Sequence, residues 1–122
     1  MDNAVVLNLE QMILRVPHLE IEKRTMLENK KKELQNLLST SVGHCESGDI
    51  AENERLLNDI KTSINLLENE HSQALNAISR INVNDYGYCE YCGVDIALKR
   101  LNYLPFAPHC VDCQDYLERK RV

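Results

Sequence analysis

The sequence has no tryptophan, one phenylalanine and five tyrosines in 122 residues. Aromatics at 5 % are poor material for a large compact core, so helix pairing and some form of staple must supply much of the stability. Positive charge is also short. Fourteen Lys and Arg against nineteen Asp and Glu give a net charge of −5 and a pI near 5.3. That balance argues against autonomous DNA or RNA binding through phosphates. No apolar run is long enough for a signal peptide or a membrane span, and Met1-Asp2-Asn3-Ala4 lacks a basic leader. Repeats and low-complexity segments are absent. The length suits one domain with an extension, or one small elongated protein.

Cysteine is what is present, and it is patterned. Cys89-Glu90-Tyr91-Cys92 and Cys110-Val111-Asp112-Cys113 are two C-x2-C pairs separated by residues 93–109. Two thiolates at that spacing bite one metal ion from a single turn. A second pair completes a tetrahedral S4 shell, which suits zinc and leaves no open coordination position. The expected zinc is therefore single and structural, and the chain is not expected to be an enzyme. Gly93 follows the first pair, where a knuckle commonly needs positive φ. His109, beside Cys110, could replace a thiolate, but four well-spaced cysteines make that a minor alternative. The fifth cysteine, Cys45, is a free thiol, so a reducing cytoplasm is the expected location.

Helical periodicity fills the rest. Val5, Leu9, Met12 and Val16 mark one face over residues 4–16, with Pro17 predicted to kink that helix or to begin the next. Leu27, Leu34 and Leu38, supported by Ile21, Met26 and Leu37, predict a core stripe on a helix from 18 to about 42. Lys30-Lys31-Lys32 reads as a solvated face. Gly43 and Gly48 bracket small polar residues, which means a loop, and helix resumes near Asp49. Leu57, Ile60, Ile64, Leu67, His71, Ala74, Ile78 and Ile81 then alternate spacings of three and four, a coiled-coil seam. His71 reads as a tolerated polar seam residue.

The fold class is thus mostly α: an antiparallel coiled-coil hairpin, a small C4 zinc-finger globule and a short C-terminal helix. Its expected parts are an N-terminal helical segment (1–17), the hairpin (18–84) with a tip loop at 43–51, and the zinc finger with the terminal helix (85–122). The expected shape is a rod with the zinc globule at its base. Val94, Ile96, Leu98, Leu101 and Leu104 are expected around the metal, and Val111, Tyr116 and Leu117 inward on the last helix. The tip acids Glu46 and Asp49 have no paired base, nucleophile or phosphate cradle nearby, so they do not form a catalytic site.

Tyr86-Gly87-Tyr88-Cys89-Glu90-Tyr91-Cys92-Gly93-Val94-Asp95-Ile96, Lys99-Arg100-Leu101, Pro105 and the second cysteine pair resemble the C4 zinc finger of the DksA/TraR family. Members of the DksA type carry Asp-x-x-Asp-x-Ala at the coiled-coil tip, and Glu46-Ser47-Gly48-Asp49-Ile50-Ala51 occupies that place here. The resemblance spans roughly residues 18–120. It implies a bacterial transcription regulator that binds RNA polymerase without DNA, its coiled coil entering the secondary channel. Asp49 and Ala51 would be effector residues at the tip, and Glu46 a substitute for the first aspartate with a longer reach. The resemblance further implies a site for the alarmone ppGpp, whose basic positions fall here on Gln73, Leu104 and Gln114, leaving Arg100 as the remaining cation. Neutral amides are weak partners for a ligand with four or more negative charges, so little potentiation by ppGpp is expected. A monomer is expected. The competing reading is a zinc-ribbon nucleic-acid-binding module with a coiled-coil dimerisation arm.

Overall fold

A computed structural model describes residues 6–40 and 47–120, in four helices: α1 (Leu9–Thr40), α2 (Ser47–Asn82), α3 (Leu98–Tyr103) and α4 (Val111–Lys120). Among the described residues the only β pairing is an isolated antiparallel bridge, Tyr88 with Asp95. The mostly helical fold is the expected one. The chain divides into two compact units, Met1–Glu20 with Gln73–Val122, and Ile21–Ser72.

The unit formed by Ile21–Ser72 is a helix pair. Leu27 of α1 and Ile60, Ile64 and Leu67 of α2 are buried together, with Leu34 and Leu37 packed against them. Only residues 41–46 separate the two helices, so segments paired in this way run antiparallel. Lys23 Nζ lies 2.7 Å from Glu70 Oε2, and Lys31 Nζ 3.7 Å from Glu68 Oε2. Both pairs are partly exposed, where such contacts contribute at most about 1 kcal/mol. The apolar seam dominates, since each buried Leu or Ile is worth about 1.5–3 kcal/mol.

The predicted seam on α2 holds: Ile60, Ile64, Leu67 and Ala74 are buried, and Leu57, His71, Ile78 and Ile81 half-buried. On α1 the stripe is shifted. Ile21, Met26 and Leu38 are about half exposed, and the inward row instead runs Met12, Val16, Glu20, Lys23, Leu27, Lys30, Leu34, Leu37. That row keeps the three-four spacing, but three of its members are charged, which hides it from a search for apolar residues.

In the other unit, α1 starts later than its apolar pattern. Asn8 Oδ1 accepts from Gln11 N (2.9 Å) and Gln11 Oε1 accepts from Asn8 N (3.0 Å). This reciprocal cap fixes the start at Leu9. The helix then runs through Pro17 without ending. An interior proline costs about 3 kcal/mol, which the full burial of Met12 and Val16 in the preceding turns offsets.

The core of this unit joins Met12 and Val16 of α1 to Ala77 of α2 and to Tyr86, Cys89, Ile96 and Leu101. The end of α2 is set by Asn84, at φ 62°, after which Asp85 N and Tyr86 N both donate to the Arg80 carbonyl (2.7 and 3.2 Å). Tyr86 Oη donates to the Pro105 carbonyl at 2.8 Å. Burial pushes its phenol up to about 12, against a partial lowering by Arg80 and Arg15. A phenol whose folded pKa is raised contributes stability that is complete below pH 10 and lost as pH rises from 10 through 12. Ultraviolet titration of the folded protein is expected to show a phenol step near pH 12, and Tyr86→Phe is expected to remove that step. If wild type and Tyr86→Phe titrate alike at high pH, Tyr86 is not held as described.

The prediction for α4 is corrected. The helix is present, but none of its residues is fully buried, and Val111 and Tyr116 are 54 % and 46 % exposed. Tyr116 instead meets Tyr91 across the surface, ring centroids 5.9 Å apart, with Lys120 Nζ 5.4 Å from the Tyr116 centroid. On a ten-residue helix anchored at one end by Cys113, the half-buried Leu117 is the inward residue.

Candidate metal centre

The backbone brings the two cysteine pairs together. Cys89 N donates to the Val94 carbonyl (2.8 Å), Gly93 N to the Cys89 carbonyl (2.9 Å) and Ile96 N to the Gly87 carbonyl (2.8 Å). These bonds fold the first pair into a tight knuckle. Gly93 has φ 81°, as its position after the pair predicts. The second pair straddles the start of α4, where Gln114 N donates to the Cys110 carbonyl. Glu90 N, inside the first knuckle, donates to the Pro108 carbonyl (2.8 Å), and Arg100 Nε donates to the His109 carbonyl (3.1 Å).

The four sulfurs of Cys89, Cys92, Cys110 and Cys113 all lie within 4.8 Å of one another. Cys92 Sγ and Cys110 Sγ are 3.8 Å apart. A tetrahedral zinc–thiolate shell with Zn–S near 2.3 Å has edges of about 3.8 Å. The Cys92–Cys110 edge matches that length, and the four sulfurs lie close enough together to hold one ion. His109 is outside it: its Nδ1 faces Gln114 Oε1 at 3.4 Å.

Crowding also splits the acidities. At Cys89 burial disfavours the thiolate, but the backbone N–H groups of Cys110, Cys92 and Tyr91 and the Cys92 thiol outweigh it and hold the thiol down to about 6. Cys113 is pushed far up, by burial first and then by the other three sulfurs. Cys92 is also raised, although the Val94 N–H and Cys113 act to lower it, because burial and its bonds to Cys89 and Cys110 prevail. Four thiols in one small volume cannot all ionise unaided. A divalent cation supplies the charge that lets them do so.

Of the residues expected around the metal, Ile96 and Leu101 are buried, whereas Val94, Leu98 and Leu104 are 52, 40 and 43 % exposed. Sequence reasoning passed over Arg80. It is 6 % exposed, with Nε 3.3 Å from Glu90 Oε1 and Nη2 3.4 Å from the Phe106 carbonyl. The Nε–H is not aligned on the carboxylate, so the contact is an ion pair without a hydrogen bond, and Nη1 has no bonded partner either. Asn76 Nδ2 donates to the same Glu90 oxygen. The last turns of α2 are thus tied to the first knuckle.

The three positions aligned with the basic ppGpp contacts are partly assembled. Gln73 and Gln114 line one cavity of about 270 Å³ with Pro108, His109, Leu117 and Glu118, and Leu104 lies outside it. Gln114 Nε2 already donates to Glu118 Oε1 at 2.9 Å. Asp49 and Ala51 fall within α2, which begins at Ser47, so the later part of the expected loop at 43–51 is helical; Ala51 is exposed. An acidic residue early in a helix offsets the dipole, which favours a start before Asp49. Glu46, with His44 and Cys45, lies outside the described residues.

Residues 84–119 match the prokaryotic dksA/traR C4-type zinc finger family. The RNA polymerase-binding transcription factor DksA of Escherichia coli K12 is 29 % identical over 105 residues, covering 78 % of this chain and 68 % of the relative. The chain is DksA-like. The DksA of Haemophilus influenzae is 37 % identical over a shorter stretch of 41 residues, 34 % of this chain and 28 % of the relative. The transcription factor DksA2 of Pseudomonas aeruginosa has a similar fold, with a TM-score of 0.76 over 92 % of this chain and 84 % of that one at 20 % identity. In this DksA-like chain no helix among the described residues is long and apolar enough to cross a membrane.

Proposed function

We propose that the chain is a bacterial transcription factor that binds RNA polymerase, enters its secondary channel and acts through the hairpin tip on promoter complexes. The observation that carries this reading is the alignment with the Escherichia coli RNA polymerase-binding factor over 78 % of the chain, well beyond the zinc finger. The relatives are named as transcription factors and the chain is not an enzyme. In this reading one zinc ion, held by Cys89, Cys92, Cys110 and Cys113, is structural, and Glu46, Asp49 and Ala51 form the tip. The dimerisation-arm reading has less support, because the faces it would pair between chains are packed within one chain around Leu27, Ile64 and Leu67. The working form is a cytoplasmic monomer that makes no direct contact with DNA. The first test is capture of core RNA polymerase by the purified, zinc-loaded chain. Micromolar or tighter binding supports the reading, and failure to retain polymerase at any tested concentration removes it.

The same reading includes weak dependence on ppGpp. The cavity lined by Gln73 and Gln114 offers amides, an imidazole and the Glu118 carboxylate, and no lysine or arginine. One of its amides is already bonded to that carboxylate. Arg100 Nε is likewise engaged, on the His109 carbonyl. Polyphosphate recognition draws on charge-assisted donors, which are roughly twice as strong as neutral ones. Transcription from a ribosomal promoter, on a polymerase lacking its other alarmone site, is expected to give the same inhibition curve with and without ppGpp. A leftward shift of tenfold or more would overturn this part.

A further inference from the structure

The amino-terminal segment lies outside the sequence resemblance, yet it packs into the unit that holds the cysteines. Three contacts define how. Asn102, on α3 between the two cysteine pairs, accepts from Leu7 N through Oδ1 at 2.8 Å and donates through Nδ2 to the Leu7 carbonyl at 3.0 Å. This is the pairing a neighbouring strand would make, supplied by one side chain. The same Nδ2 donates to the Leu98 carbonyl at 2.8 Å, which fixes the amide orientation. Met12 and Val16, one and two turns into α1, are fully buried in one cluster with Leu101 and Cys89, and Cys110 and Cys113 pack against that cluster. Leu9 closes over Gly87, where a Cβ would stand 2.9 Å from its Cδ1.

We propose that residues 7–16, latched by Asn102, form the apolar cover of the metal centre, so that docking of this segment and retention of zinc are one linked equilibrium. Cys89, the one buried cysteine of the four, shares its buried cluster with Met12 and Val16 of the segment and with Leu101, whereas Cys92 is exposed. A chelator reaches the sulfurs more readily when the segment lifts. Conversely, the knuckles that present Asn102 and Leu101 lose their arrangement when zinc leaves, and the segment loses its seat. Reciprocity is required of any such linkage. The inference rests on the four cysteines holding zinc.

The test uses the full chain. Zinc transfer to excess 4-(2-pyridylazo)resorcinol is timed for wild type and Asn102→Asp, and amide exchange over residues 9–16 is measured with zinc and after its removal. Asn102→Asp keeps the acceptor for Leu7 N but sets a carboxylate against two carbonyls, losing two hydrogen bonds. Zinc release is expected to accelerate about tenfold, the equivalent of roughly one to two net hydrogen bonds. Wild-type residues 9–16 are expected to lose protection when zinc is removed, and added free zinc to restore their protection in Asn102→Asp by mass action. Unchanged zinc release in that variant, or unchanged protection of 9–16 in the stripped wild type, overturns the linkage. If the variant does not fold, the wild-type exchange comparison decides alone. A wild type that binds no zinc overturns the metal reading itself, a result distinct from zinc that binds and leaves the segment indifferent.

Discussion

Cys92→Ser is expected to lose the zinc and disorder the metal unit while the helix pair of Ile21–Ser72 keeps most of its helix. The sulfur it removes is 3.8 Å from Cys110 Sγ and belongs to the closed four-sulfur cluster. A structural zinc site contributes folding free energy on the order of 10 kcal/mol. The apolar core around Met12, Tyr86 and Leu101 is small and holds no phenylalanine or tryptophan at its centre, so it cannot make up that loss. The helix pair has its own buried residues, Leu27, Ile60, Ile64 and Leu67, none of them in the metal unit. Metal analysis with far-ultraviolet circular dichroism checks both halves. Full zinc content and unchanged thermal unfolding in Cys92→Ser would contradict the four-cysteine assignment.

Asp49→Asn is expected to separate binding from effect. Asn has the shape of Asp without its charge, and Asp49 is in the first turn of α2. Stability is expected to change by less than about 1 kcal/mol, the scale of a helix-dipole contribution. Polymerase affinity is expected to stay within threefold of wild type while inhibition of a sensitive promoter falls by an order of magnitude or more. Equal regulation by Asp49→Asn and wild type would remove Asp49 from the effector role, and a parallel loss of binding would make it a docking residue instead.

The gathering of the four cysteines was the most legible part of the sequence, because two C-x2-C pairs leave few arrangements and Gly93 states the backbone conformation after the first pair. The seam on α2 was legible for a similar reason, since apolar residues occupy almost every inward position. On α1 the inward row passes through Glu20, Lys23 and Lys30, so periodicity pointed instead to Ile21, Met26 and Leu38, which are partly exposed. A long lysine can lie along an apolar seam with its ammonium on a partner, as Lys23 does with Glu70. Whether the helix would continue through Pro17 or restart there stayed open in the sequence, because the packing beside it is tertiary. Arg80 and Asn102 were invisible for the same reason. Each acts on chain that is distant in sequence, and a polar residue on a helix ordinarily reads as solvated. The spacing of Arg80 three residues after Ala77 was the one available signal of an inward position.

The most direct test of the account is where the hairpin comes to rest on its partner. A photo-crosslinking amino acid at Glu52, exposed and one residue beyond Ala51 on α2, is to be carried by the zinc-loaded chain bound to core RNA polymerase. Crosslinks are expected to the large-subunit segments that line the secondary channel near the active site, and are expected to be lost when that channel is blocked by a competing channel-binding factor. Crosslinks confined to the outer surface of the polymerase, or unaffected by the competitor, would contradict entry into the channel.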